Sequence, residues 1–112
     1  MNIVIFGPPG AGKGTQSSFL INNFNFFQLS TGDLLRNELK SGSKLASEIE
    51  VLMNSGKLVS DDIINNLIEK KLEDKSIENR IIFDGFPRNI DQAKTLDNLL
   101  EKHSQSISLV LN

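Results

Sequence analysis

The segment Gly7-Pro8-Pro9-Gly10-Ala11-Gly12-Lys13-Gly14-Thr15 has the composition of a loop that wraps a phosphate group. Glycines let the backbone curl so that successive N–H groups converge on phosphate oxygens. Lys13 adds a mobile positive charge, and a helix starting behind the loop adds the positive end of its dipole. A chance Gly-x4-Gly-Lys in a chain of 112 residues has a probability of only about 0.03. Loops of this kind usually carry Ser or Thr directly after the lysine as a Mg²⁺ ligand, whereas here that place holds Gly14, with Thr15 one residue later. A GTPase-like magnesium site is therefore disfavoured. A second cluster follows an apolar run at Asp84-Gly85-Phe86-Pro87-Arg88. Asp84 is where a carboxylate would hold Mg²⁺ directly or through water, and Arg88 offers a planar fork suited to phosphate. Arg36 follows a third turn-like segment, Ser30-Thr31-Gly32-Asp33. Several converging phosphate contacts are what transfer between two phosphorylated substrates requires.

Strands and helices must alternate to hold these groups together. Residues 3–6 form a short apolar run bounded by glycine and proline and read as a buried parallel strand. Residues 15–24 are compatible with a helix whose inner side carries Phe19, Leu20 and Phe24, and residues 26–29 form a second strand. Two short helices follow, one carrying Leu34, Leu35 and Leu39 and stopping at Gly42, the other carrying Leu45, Ile49, Leu52 and Met53 and stopping at Gly56. The best-marked helix has Ser60 as N-cap, Asp61 and Asp62 in its first turn, an apolar face of Ile63, Ile64, Leu67, Ile68 and Leu72, and Lys70 and Lys71 near its end. Residues 81–83 are a third strand. Residues 89–103 form a helix with Ile90, Ala93, Leu96, Leu99 and Leu100 inward, and residues 107–111 are a fourth strand. This alternation means βαβ units, a parallel sheet, and ligands bound at the carboxyl ends of its strands.

Composition narrows the partners. With 23% charged and 38% hydrophobic residues the chain falls among ordinary soluble domains, and 12 basic against 14 acidic side chains give a net charge of −2, without the basic excess of a nucleic-acid surface. No cysteine is present, so disulfides and thiolate metal sites do not arise. Apolar runs are too short to span a bilayer, which points to the cytoplasm and to no membrane partner. There is no Ser-His or Cys-His arrangement suited to nucleophilic catalysis.

The motifs around Gly7 to Gln16, Ser30 to Arg36, Gly56-Lys57-Leu58-Val59 and Asp84 to Arg88 with Gln92 resemble, in order and spacing, the adenylate kinase family. That family's loop reads Gly-Lys-Gly-Thr, which accounts for Gly14. The resemblance implies a P-loop NTPase-type α/β fold: a three-layer parallel sheet with helices on both faces, here with four of an expected five strands. Its implied reaction is reversible phosphoryl transfer from ATP to AMP, giving two ADP, with Mg²⁺ bound alongside. On the family pattern Gly10, Ala11, Gly12, Lys13, Gly14 and Thr15 hold ATP, and Lys13, Asp84 and Arg88 are catalytic, with Asp84 holding the metal through water. Thr31, Arg36, Lys57, Leu58, Val59, Gly85, Phe86, Pro87, Arg88 and Gln92 form the AMP site. Residues 30–59 are the small AMP-binding subdomain of a core over residues 1–112. ATP, AMP and ADP are the implied small-molecule partners.

Members of the family continue past residue 112 into a lid over ATP, a fifth strand and a closing helix. The resemblance therefore implies a truncated, feebly active form of an enzyme that is monomeric when complete. An unpaired outer edge on the last strand further implies a marginally stable, aggregation-prone chain. Two alternatives stay open: a UMP/CMP-type kinase, which usually carries alanine and asparagine at the places of Thr31 and Gln92, and a nucleotide-binding module without turnover.

Overall fold

A computed structural model describes residues 1–6 and 13–111, with the side chain of Lys13 excepted. Strand β1 (Asn2–Ile5) leads to helix α1 (Lys13–Phe24), β2 (Phe27–Ser30), α2 (Thr31–Ser41), α3 (Lys44–Asn54) and α4 (Asp61–Leu72). A single 3₁₀ turn (Lys75–Ile77) precedes β3 (Ile81–Asp84), α5 (Ile90–Lys102) and β4 (Ile107–Leu111). The four strands form one parallel sheet in the order β2-β3-β1-β4, the α/β architecture that the alternation of elements predicts.

Alternation along the central strands divides the core into two layers, because successive strand side chains face opposite sides of a sheet. On one face Val4, Leu29, Ile81 and Phe83 pack against Leu34, Ile49, Ile68, Leu96 and Leu100 from α2 to α5. On the other, Ile3, Ile5 and Ile82 pack against Leu20 and Ile21 of α1. Helices thus cover both faces, as expected of the three-layer fold.

Capping follows the sequence closely. The hydroxyls of Ser30, Ser43 and Ser60 accept from the backbone N–H groups of Asp33, Ala46 and Ile63, and Gly42 ends α2 in the left-handed conformation at φ 69°. The apolar sides of two helices depart from expectation. Phe19 and Phe24 stay 58% and 57% exposed, because Ser17, Leu20 and Ile21, at i, i+3 and i+4, form the buried or half-buried side of α1. Their rings lie against each other instead, with centroids 5.9 Å apart. Ile90 is 73% exposed, since it projects from the opposite side of α5 to buried Leu99.

A polar knot closes the amino-terminal end of the sheet. The fully buried amide of Asn2 donates to Gln105 Oε1 (3.0 Å) and to the Ser106 carbonyl (3.2 Å), and accepts from the backbone N–H of Ile81 (3.2 Å). At this same end three turns back into strands pass through left-handed non-glycine residues, Asn25 before β2, Asn79 before β3 and Ser104 before β4, each at φ 58°.

Candidate functional site

Three strands end on one row across the sheet. Asp84 at the end of β3 is in register with Ile5 of β1 on one side and Ser30 of β2 on the other. The three strand ends are therefore neighbours, at the ~4.8 Å spacing of adjacent strands. Residues 7–12, including the expected ATP contacts Gly10, Ala11 and Gly12, lie outside the described residues, as does the side chain of Lys13. Gly14 and Thr15 are exposed in the first turn of α1.

The carboxylate of Asp84 is half-buried, and its Oδ2 accepts from Gln28 Nε2 at 2.9 Å. Gln28 was absent from the residues the sequence motifs single out; it reaches Asp84 because it sits on the adjacent strand, two residues before Ser30. No group of three His, Cys, Asp or Glu side chains able to hold a metal exists among the described residues. A single oxygen donor at a strand end fits Mg²⁺ nonetheless, since that ion keeps several waters and shares its coordination with substrate phosphates.

Beside this row opens a cleft of about 320 Å³, within the roughly 300–1,000 Å³ of small-molecule sites. Its lining unites Thr31 from the first turn of α2, residues 57–59 from the segment before α4, and Gly85, Phe86, Arg88 and Gln92 from the segment after β3. Every expected AMP contact except Arg36 and Pro87 is among its lining residues. Leu35, Met53 and Ile64 supply apolar wall.

Local geometry explains why these residue types stand here. Gly85 has φ +80°, a conformation that side-chain-bearing residues adopt at a cost. A Cβ at that position would sit at ordinary contact distance, 3.6 Å from an Arg88 guanidinium nitrogen and 3.8 Å from the Thr31 hydroxyl, so backbone conformation rather than space favours glycine here. The carbonyl of Gly85 accepts from Arg88 Nε at 2.9 Å, fixing the arginine fork beside the cleft. Pro87 is buried behind a cis Phe86-Pro87 bond. Asn89 caps α5 by accepting from the N–H of Gln92 (2.8 Å), while Gln92 Oε1 accepts from the N–H of Arg88 (2.7 Å) and its Nε2 donates to Asp61 Oδ1 (3.1 Å). Asp61 joins the cleft through this bond. In sequence it reads only as a first-turn acid of α4; its position two residues after Val59 was the available signal.

Arg36 stands apart from the cleft. Its guanidinium pairs with Asp33 Oδ1 at 2.5 Å and crosses Gly32, where an added Cβ would meet Arg36 Nη1 at 3.1 Å. That hydrogen bond, followed by one with the Ser30 hydroxyl, holds the Asp33 carboxyl below its ordinary value.

No helix among the described residues is long and apolar enough to cross a membrane. The cleft is thus an open pocket at the carboxyl ends of parallel strands, with Lys57 and Arg88 as cations, Asp61 as an anion and apolar walls between them.

Comparison with known proteins identifies the family. The family model for adenylate kinase matches residues 5–112. The chain is 52% identical over 107 residues to an adenylate kinase of Pelagibacter ubique, covering 96% of this chain and 50% of that protein. It is 45% identical over 111 residues to one of Fusobacterium nucleatum (99% and 53%), and 49% identical over 111 residues to one of Hyphomonas neptunium (99% and 59%). The chain spans about half the length of the curated relatives it matches. With the family match running from β1 to the last described strand, the chain belongs to the adenylate kinase family.

Proposed function

We propose that this chain carries the phosphate loop and the monophosphate site of an enzyme that transfers the terminal phosphoryl group of ATP to AMP, reversibly, giving two ADP. The observation that carries this reading is the cleft, in which Thr31, residues 57–59, Gly85, Arg88 and Gln92 meet beside the row where β1 and β3 end. An AMP phosphate oxygen attacks the γ-phosphorus, the bond to the β,γ-bridging oxygen breaks, and ADP leaves on the side opposite the attack. Phosphoryl transfer of this kind asks the protein for alignment and for charge stabilisation, and for no nucleophile of its own.

The roles follow. Residues 10–15 would hold the ATP phosphates and Lys13 would follow the charge in flight. Arg88, fixed by its bond to Gly85, would hold the phosphate of AMP in the cleft, and Arg36 would join it after leaving Asp33. Mg²⁺, when bound, would neutralise charge on the β and γ oxygens, held through water by Asp84. Residues 30–59 would act as a small subdomain closing over AMP. The same reading assigns the protein to the cytoplasm as a monomer.

Calorimetric titration of the chain with AMP tests the site, and a coupled assay with ATP, AMP and Mg²⁺ tests turnover. Saturable AMP binding that Arg88→Ala weakens by about tenfold or more is the expected result. Absence of AMP binding would overturn the reading.

A further inference from the structure

We propose that Asp61 selects the base of the monophosphate, by accepting a hydrogen bond from an exocyclic amino group while Gln92 donates to the ring nitrogen beside it. This rests on the reading of the cleft as a nucleoside monophosphate site and deepens it.

The hydrogen-bond network fixes the direction of the Gln92 amide. The backbone N–H of Arg88 can only donate, so the Gln92 atom 2.7 Å away must be the carbonyl oxygen, and the NH₂ group then faces the carboxylate of Asp61 at 3.1 Å. One hydrogen of that NH₂ group engages Asp61 and the other stays available. The second carboxylate oxygen of Asp61 has no partner among the described residues. A donor from Gln92 thus stands next to an acceptor from Asp61, both on the lining of the cleft and beside the apolar walls Val59 and Ile64.

This pair has a chemical complement. Adenine presents an amino group at C6 next to the unprotonated N1, a donor beside an acceptor. Hypoxanthine and guanine present a carbonyl at C6 next to N1–H, the reverse order. Such a base would set its O6 against the Asp61 carboxylate and its N1–H against the Gln92 NH₂ group, acceptor facing acceptor and donor facing donor. Cytosine carries the same donor-acceptor edge as adenine, so Asp61 separates amino from carbonyl bases and leaves ring size to the apolar walls. Two ordered elements hold the pair in place: Asp61 opens α4 behind the Ser60 cap, and Gln92 lies in the first turn of α5 behind the Asn89 cap.

AMP and inosine 5′-monophosphate share phosphate and ribose, so the ratio of their affinities isolates this edge. Titration calorimetry of the full chain and of Asp61→Asn and Asp61→Ala is the test. The unmodified chain is expected to prefer AMP. Asp61→Asn, whose amide can turn an NH₂ group towards O6, is expected to lower the AMP-to-inosine-monophosphate ratio by about ten- to a hundred-fold, losing affinity for the first and gaining for the second. Asp61→Ala is expected to lose affinity for AMP without that gain. An unchanged ratio in Asp61→Asn, with AMP still bound, would overturn the role of Asp61 alone. Failure of the unmodified chain to bind either nucleotide would overturn both this role and the reading of the cleft.

Discussion

The guanidinium of Arg36 meets the carboxylate of Asp33 one helical turn back, at 2.5 Å, while Arg88 is held at the cleft by the carbonyl of Gly85. Two arginines with the same expected duty therefore stand in different states, one docked at its post and one paired elsewhere. Breaking the pair should release Arg36 towards a phosphate. Exposed ion pairs are worth about 0.2–1 kcal/mol, so Asp33→Asn is expected to tighten AMP binding by about two- to five-fold by calorimetry. The gain should vanish in the double variant with Arg36→Ala.

The same pair has a signature in acid. Because hydrogen bonds from Arg36, then Ser30, depress the folded-state value of Asp33, its contribution to stability is present above the unfolded value of about 3.9. It is lost as pH falls through the lower folded value. Asp33 is about half exposed, so solvent keeps the contribution small. Urea unfolding should show the unmodified chain above Asp33→Asn by a constant margin from pH 7 to about pH 5, shrinking below about pH 4.

Ile49 ties the short helix α3 to the main core, with no measurable exposure and with neighbours such as Leu34, Ile64 and Phe83 in one cluster. Ile49→Ala should cost about 2–5 kcal/mol by urea unfolding, through lost burial and the cavity left behind. AMP affinity should fall with it, because α3 leads directly into residues 57–59.

Apolar side chains stand exposed on both β4 and α1. β4 is an edge strand in which Leu109 and Val110 are 44% and 53% exposed, and Phe19 and Phe24 stand out from α1. Exposed edges and apolar patches promote association between chains. Light scattering of concentrated samples should show less association for Val110→Lys and Phe24→Lys than for the unmodified chain.

Much of this architecture is legible in the sequence because local rules act alone. Ser60, the acids after it and the lysines at the far end define α4 without reference to anything distant, and Ser30 does the same for α2. The cleft is legible for another reason: its residues fall in short motifs with fixed spacing. What escaped depends on tertiary neighbours. Phe19 and Phe24 look like core residues until the sheet selects Leu20 and Ile21 instead. Glu38, a charged residue in α2, is buried because the Ser43 hydroxyl donates to it at 2.6 Å and Lys70 of another helix lies 3.8 Å away. The contact between Asp61 and Gln92 spans 31 positions of chain, and neither residue's local pattern announces it.

The three left-handed turns at Asn25, Asn79 and Ser104 all lie at the end of the sheet away from the cleft. One end of the sheet returns the chain and the other end opens onto the candidate cleft. For protein engineering, this gives the molecule a back door: grafted peptides, reporter insertions or new termini belong at those three exposed turns, where a longer connection leaves the row of Ile5, Ser30 and Asp84 undisturbed. A single added residue within β1, β2 or β3 would instead turn every later side chain of that strand to the opposite face and dismantle the pocket.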